Sequence, residues 1–179
     1  MTREKDIEVE VRSFISAEKY LELLNFFQKE AAFVSEDNQE TYYFDAPQDL
    51  RIQKNNFFSK IWMKRGRIHD DCREEIEIRF PREDFEKLEK LFVSLGFAVQ
   101  IKWFRKRHTF QWEKVEVMLD FTKGYGHIIE LEKKSDEAEK ELVLQELKEK
   151  LQQLSLPLTP KEEFDQRYQY YKEHWRELV

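Results

Sequence analysis

One cysteine, four glycines and four prolines are all that 179 residues contain of the types that staple, loosen or break a chain. Cys72 alone can form neither an internal disulfide nor a paired-cysteine metal site, which fits a reducing compartment. No apolar run approaches the ~20 residues of a membrane span. The N-terminal MTREKDIEVE lacks the apolar centre of a signal peptide, so the expected location is cytoplasmic, with no membrane contact. An excess of positive charge is missing too. A net charge of −6 and a pI near 5.4 argue against a protein that coats nucleic acid, though not against a local basic pocket for one anion. With no linker or low-complexity stretch, the chain reads as a single domain over residues 1–179.

What is present is charge interleaved with apolar residues: 38% charged and 40% hydrophobic. Eight segments alternate at the period of a strand: IEVEVRSF from Ile7, ETYYFD from Glu40, DLRIQK from Asp49, FFSKIWMKR from Phe57, EEIEIRF from Glu74, VQIKWFRKRHTFQW from Val99, VEVMLDF from Val115 and HIIELEK from His127. Eight is the number at which a sheet closes into a small barrel. Asn55-Asn56 is expected to turn one hairpin with positive φ, and Lys123-Gly124-Tyr125-Gly126 another.

Four helical patterns complete the chain. Ser16 caps one carrying Tyr20, Leu21, Leu24 and Phe27; a second follows Pro81 with Phe85, Leu88, Phe92 and Leu95 and stops at Gly96. Residues 136–154 carry Leu147, Leu151 and Leu154. The last begins at Thr159-Pro160-Lys161-Glu162, read as a capping box, and carries Phe164, Tyr168, Tyr171 and Trp175 as a packing stripe. The helices from about residue 135 are expected to pack outside the barrel. The fold class is therefore α+β, an eight-stranded antiparallel closed β-barrel with flanking helices.

One pattern occurs three times: Glu8-Val9-Glu10-Val11-Arg12, Glu75-Ile76-Glu77-Ile78-Arg79 and Glu130-Leu131-Glu132-Lys133-Lys134. Alternate strand residues share a face about 7 Å apart. Each copy thus sets like charges side by side, unfavourable unless a cation binds between them. Other strands bring Arg51, Lys64, Arg73, Arg105, Arg107 and Asp120 to polar positions, with Lys102 and Lys106 as the alternative register for the 99–112 strand. If helices cover the aliphatic faces, the charges must point inward. That many buried charges need water, metal and an anionic guest. Carboxylates suit hard cations such as Mg²⁺ or Mn²⁺, and arginine and lysine suit phosphate oxygens. His69, His108, His127 and His174 show no metal spacing, and Trp62 and Trp103 are read as core residues that could also stack on a ring.

These residues resemble, in order from Ile7 to about Glu132, the CYTH superfamily of triphosphate tunnel metalloenzymes. The resemblance rests on Glu8, Glu10 and Arg12 at the family's ExExK, the YYFDAP run, Leu50-Arg51-Ile52, Lys64, Arg73-Glu74-Glu75-Ile76-Glu77, Arg105 with Arg107, and Asp120 followed by Gly124-Tyr125-Gly126 and Glu130-Leu131-Glu132. It implies a triphosphate tunnel in which Glu8, Glu10, Glu130 and Glu132, with Asp120, hold metal. Arg51, Lys64, Arg73, Arg105 and Arg107 would bind phosphate, and Glu75 and Glu77 take either role. Arg12, Glu10 and Lys64 would be the catalytic set. Two departures stand out: Arg12 replaces the family's lysine and cannot lose a proton to act as a base, and Gln53 stands where relatives often have a second arginine.

Three functions follow from the resemblance. The first is metal-dependent hydrolysis of inorganic tripolyphosphate or a small organic triphosphate such as thiamine triphosphate. The second is a class IV adenylyl cyclase making cyclic AMP and pyrophosphate from ATP. The third is non-catalytic binding of polyphosphate or nucleotide. Each expects a small triphosphate partner and a monomer or homodimer.

Overall fold

The computed structural model describes residues 7–65 and 72–179, with the side chains of 72–74 set aside. His69 and the side chains of Cys72, Arg73 and Glu74 therefore lie outside the described residues. In chain order the elements are β1 (Ile7–Ile15), α1 (Ala17–Glu30), β2 (Ala32–Phe44), β3 (Asp49–Lys54), β4 (Ser59–Arg65) and β5 (Cys72–Phe80). A turn of 3-10 helix (Arg82–Asp84) leads into α2 (Phe85–Ser94), followed by β6 (Val99–Trp112), β7 (Val115–Thr122), β8 (Gly126–Ser135), α3 (Lys140–Gln153) and α4 (Lys161–Leu178).

The eight strands form a closed antiparallel ring in the order β1-β5-β4-β3-β2-β6-β7-β8. Among the described residues the closing seam joins β1 to β5 through the pairs Ile7–Glu74, Glu8–Arg73 and Val9–Cys72, and β1 pairs β8 from Ile7–Ser135 through Ile15–His127. All eight expected strands are present, β2 beginning earlier than its sequence pattern because its first half pairs with the long β6 from Ala32–Gln111 onward.

Alternation then sorts side chains. The outward residues Val9, Val11, Val117, Leu119, Ile129 and Leu131 are buried under α1 and α3, against Tyr20, Leu23, Phe27, Val143, Leu147 and Leu151. Across the ring, Tyr42, Phe44 and Ile52 pack against Phe85 and Leu88 of α2. Ser16 accepts from the Lys19 amide at 3.1 Å and starts α1 as expected. Leu21 is 59% exposed and Leu95 64%, so the buried stripe of α1 runs through Leu23 instead and that of α2 ends a turn earlier.

α4 departs from expectation. It lies across one end of the barrel, against the inward-facing Ile101 and Trp103, with Tyr171 and Trp175 buried there. The Tyr171 hydroxyl donates to the Lys102 carbonyl (3.0 Å) and the Trp175 indole to that of Gln100 (2.9 Å). No capping box forms. Thr159 accepts from the Phe14 amide at 2.9 Å and bonds the Ser13 hydroxyl at 3.1 Å, tying the helix entrance to β1.

The turns also divide. Gly124 has φ +75°, and a Cβ there would lie 2.6 Å from the Leu178 Cβ, so glycine serves both the turn and the seating of α4. Asn55 and Asn56 do not adopt positive φ. Asn55 Oδ1 instead accepts from the amides of Phe57 and Phe58 at 2.8 Å each, a side-chain turn that delays β4 to Ser59.

Candidate active site

The inward faces enclose a polar tunnel of about 700 Å³. Glu8, Glu10, Arg12, Arg51, Lys64, Glu75, Glu77, Arg105, Arg107, Asp120, Glu130 and Glu132 all line it. Helices α1, α2 and α3 cover much of the outer surface, while the outward Ile76 and Ile78 of β5 stay exposed; strand alternation turns the charges inward. The alternative register of β6 is not adopted: Lys106 points away and pairs with Glu36 at 2.6 Å, and Lys102 lies 3.7 Å from Glu89.

The charges segregate. Glu8, Glu10 and Glu132 each offer a carboxylate oxygen within 4.8 Å of the others. Strand register explains the crowding: Glu10 stands directly opposite Glu132, which in turn faces Glu116 across β7. Like charges so placed repel unless neutralised. Glu10 is 6% exposed, and its Oε1 accepts no hydrogen bond among the described residues; Arg12 Nε approaches it only to 3.6 Å. Burial first, then Glu8, Glu130 and Glu10, push the Glu132 carboxyl up to about 9; burial also raises Glu8. An orphaned buried oxygen among three crowded carboxylates is a donor set that fits a hard divalent cation. Lys64 flanks the group, 2.6 Å from Glu8 and 3.0 Å from Glu75.

Deeper toward α4 the balance reverses. Arg107 grips Asp120 with two bonds, Nε–Oδ1 2.7 Å and Nη2–Oδ2 2.6 Å, and Arg105 adds a third at 3.2 Å. Arg105 also donates to Gln39 Oε1 at 2.9 and 2.6 Å, and Arg107 lies 3.5 Å from Glu130. Burial alone would raise Glu130, yet Arg107, Arg12 and Arg105 hold it at about 2. The expected metal set therefore divides. Glu8, Glu10 and Glu132 converge, whereas Asp120 and Glu130 sit among arginines because β7 and β8 place them opposite β6 and Arg12. Glu75 bonds Lys64, and Glu77 is taken by Lys60 at 2.6 Å and Arg79 at 2.7 Å, so neither joins the three-carboxylate cluster.

Arg51 donates Nε to Asp49 at 2.6 Å and stacks on Tyr43 (4.3 Å) and Trp62 (5.4 Å). Trp62 and Trp103 are buried as expected of core residues, Trp103 in the cluster with Ile101, Tyr171 and Trp175, and both also line the tunnel. Sequence reasoning missed Lys60, although it shares the inward face of β4 with Trp62 and Lys64 two and four residues on. It also missed Gln39 and Tyr43 on β2, and Phe164 and Tyr168 of α4, whose helical stripe has the same spacing as a packing face. His108 is buried under α1 with Tyr20 at 2.9 Å, His127 stacks on Phe121, and His174 is on the surface, all away from the tunnel.

An eight-stranded antiparallel ring around a tunnel divided into carboxylate and arginine zones defines a class of protein by itself. The chain belongs to the CYTH domain family, whose model matches residues 6–168. It is 35% identical over 136 residues to a Methanocaldococcus jannaschii protein named "Putative adenylate cyclase MJ0240", covering 73% of each chain. Its fold is similar to that of a conserved hypothetical protein from Pyrococcus furiosus, at 29% identity and TM-score 0.74, covering 84% of this chain and 91% of that one. It is also similar in fold to a Hippeastrum protein described as a putative adenylyl cyclase with a dominant triphosphatase activity, at 18% identity and TM-score 0.62, over 84% and 88%. No helix among the described residues is long and apolar enough to cross a membrane.

Proposed function

We propose that this protein is a metal-dependent enzyme that hydrolyses a triphosphate, either inorganic tripolyphosphate or a small organic triphosphate. The observation that carries this reading is the juxtaposition of three crowded carboxylates with Arg12, Arg51, Lys64, Arg105 and Arg107 in one tunnel of about 700 Å³. Glu8, Glu10 and Glu132 would hold Mg²⁺ or Mn²⁺. Such an ion, when bound, neutralises phosphate charge and makes a water more acidic. The cationic side chains bind and orient the chain of phosphates, their N–H groups directed at oxygens that gain charge as the terminal P–O bond breaks. Water oxygen bonds the terminal phosphorus, the bridging oxygen leaves with the bond's electron pair as part of the diphosphate product, and the water's proton passes to a phosphate oxygen or to solvent as orthophosphate departs. Arg12 keeps its proton throughout and so serves as a phosphate ligand. Arg105 and Arg107 start from Asp120, which holds them in place while leaving further N–H donors on each guanidinium.

A second reading, cyclisation of ATP to cyclic AMP and pyrophosphate, is favoured by one observation, the name carried by the 35% identical relative. The experiment that separates them is incubation with tripolyphosphate, thiamine triphosphate and ATP, with Mg²⁺ or Mn²⁺, followed by product analysis. Orthophosphate release supports hydrolysis. Cyclic AMP with pyrophosphate supports the second reading, and binding without any product rejects both in favour of a non-catalytic binder.

A further inference from the structure

Arg12 occupies the position where the family resemblance expects lysine, and an aromatic ring lies against its guanidinium. The Arg12 Cζ lies 4.8 Å from the centre of the Phe164 ring, which comes from the first turn of α4. The other partners of Phe164 extend the stack outward. Phe164 and Phe14 stack with centroids 4.5 Å apart and planes 26° from parallel, and Arg167 lies over Phe14 at 4.0 Å. A column of cation, ring, ring and cation therefore runs from the tunnel to the surface of α4. Its outer end is fixed by the helix, which Tyr171 and Trp175 bond to β6 at 3.0 and 2.9 Å.

Resting on the function proposed above, we infer that Phe164 is a positioning residue that holds the Arg12 guanidinium in the tunnel for phosphate. Arg12 needs such a support. On its own strand face its neighbour Glu10 approaches only to 3.6 Å, too far for a hydrogen bond, and the carboxylate Glu130 lies across the strand pair. A planar, weakly hydrated guanidinium stacks on an aromatic face and keeps its edge N–H groups for a ligand. A compact ammonium would use its donors less selectively. Arg12 and the aromatic first turn of α4 are thus two halves of one arrangement. Phe164 carries no polar group for phosphate and acts through Arg12.

The test is a double-mutant cycle read by tripolyphosphate affinity without metal, where no turnover intervenes. Phe164→Leu in the native background is expected to weaken binding about fivefold, the size of one partly desolvated cation–π contact. In an Arg12→Gln background the same change is expected to leave affinity within about 1.5-fold, because no cation remains to be held. Phe164→Tyr, which keeps the ring, is expected to restore native affinity. Equal losses in both backgrounds would make Phe164 a structural residue and overturn the inference while leaving the proposed function intact. A native protein that neither binds nor cleaves tripolyphosphate removes the proposed function, and this inference with it. Should Phe164→Leu not fold, Phe164→Met carries the same two arms.

Discussion

Glu130 and Glu132 are the same residue type, two positions apart on one face of one strand, yet their surroundings drive them in opposite directions. Both are buried, which raises a carboxyl; for Glu130 the facing Arg107, Arg12 and Arg105 override this and hold it at about 2, whereas for Glu132 burial and then Glu8, Glu130 and Glu10 push it up to about 9. The difference lies in what the neighbouring strands supply at each level of the tunnel. A carboxylate among guanidiniums is a completed ion pair. A carboxylate among carboxylates is a site short of positive charge, and the tunnel becomes polarised along its length.

The comparison can be broken most forcefully at Glu10. Glu10→Gln removes one of the three converging carboxylates and is expected to lower metal-dependent triphosphate turnover at least about a hundredfold. Because it also removes a crowded buried charge, the metal-free variant should melt no lower than the native protein. Full activity, or loss of the fold, in paired kinetic and thermal-melting measurements would refute the assignment.

At the arginine zone the expected effect is on stability. Asp120→Asn leaves two buried guanidiniums short of their counter-charge, a change expected to cost about 3–5 kcal/mol in urea unfolding. Tripolyphosphate, supplying negative charge to the same groups, should recover much of that loss in the variant and less in the native chain. A variant as stable as the native protein would show that the Asp120 pairs are not what secures Arg105 and Arg107.

pH sharpens the contrast between the two glutamates. Folding raises the Glu132 carboxyl from its ordinary 4.5 to about 9, so the folded chain holds a proton that the unfolded chain releases. Its contribution to stability is complete below about 4.5 and is lost as pH rises through about 9. Glu130 has the opposite sign: its contribution is present above 4.5 and is lost as pH falls toward about 2. Melting temperatures between pH 5 and 9 should therefore decline without metal, and Mg²⁺ should stabilise more at the alkaline end, where the carboxylates are ready to bind it. Stabilisation by Mg²⁺ that does not change with pH would contradict this account of Glu132.

The smallest expected effect comes from the opposite face of β6. Lys106 is paired with Glu36 outside the barrel, so Lys106→Ala should leave turnover within about twofold and stability within about 0.5 kcal/mol. Arg107→Ala, one residue away, should not be tolerated so well. Parallel assays of the two variants test whether strand alternation separates site from surface.

Much of the barrel was legible because a strand facing charge on one side and aliphatics on the other states its own orientation; Glu8 with Glu10 needed no partner to be placed on the inward face, whereas β6 carries cations on both faces and its choice of Arg105 with Arg107 over Lys102 with Lys106 came only with the structure. The order of strands around the ring was not legible, and with it went the grouping of charges. Nothing within Val115–Thr122 says that Asp120 will stand opposite Arg107, nor does Gly126–Ser135 announce that Glu130 faces Arg12 while Glu132 faces Glu10. α4 shows the same limit from the helix side. Phe164, Tyr168, Tyr171 and Trp175 would have the same spacing whether they covered a wall or an opening, and only the packing against Ile101 and Trp103 puts two of them in the tunnel.

By itself, then, the sequence determined which side chains share a strand face, since alternation along a strand is a local property written in residue order. Tertiary structure alone decided which inward charges meet, because cross-strand register and ring closure join residues as far apart as Glu10 and Glu132. The separation of a carboxylate zone from an arginine zone, and the aromatic support beneath Arg12, arise from those distant pairings. Coulomb interactions over a few ångströms in a buried space then set the chemistry that each charge can perform.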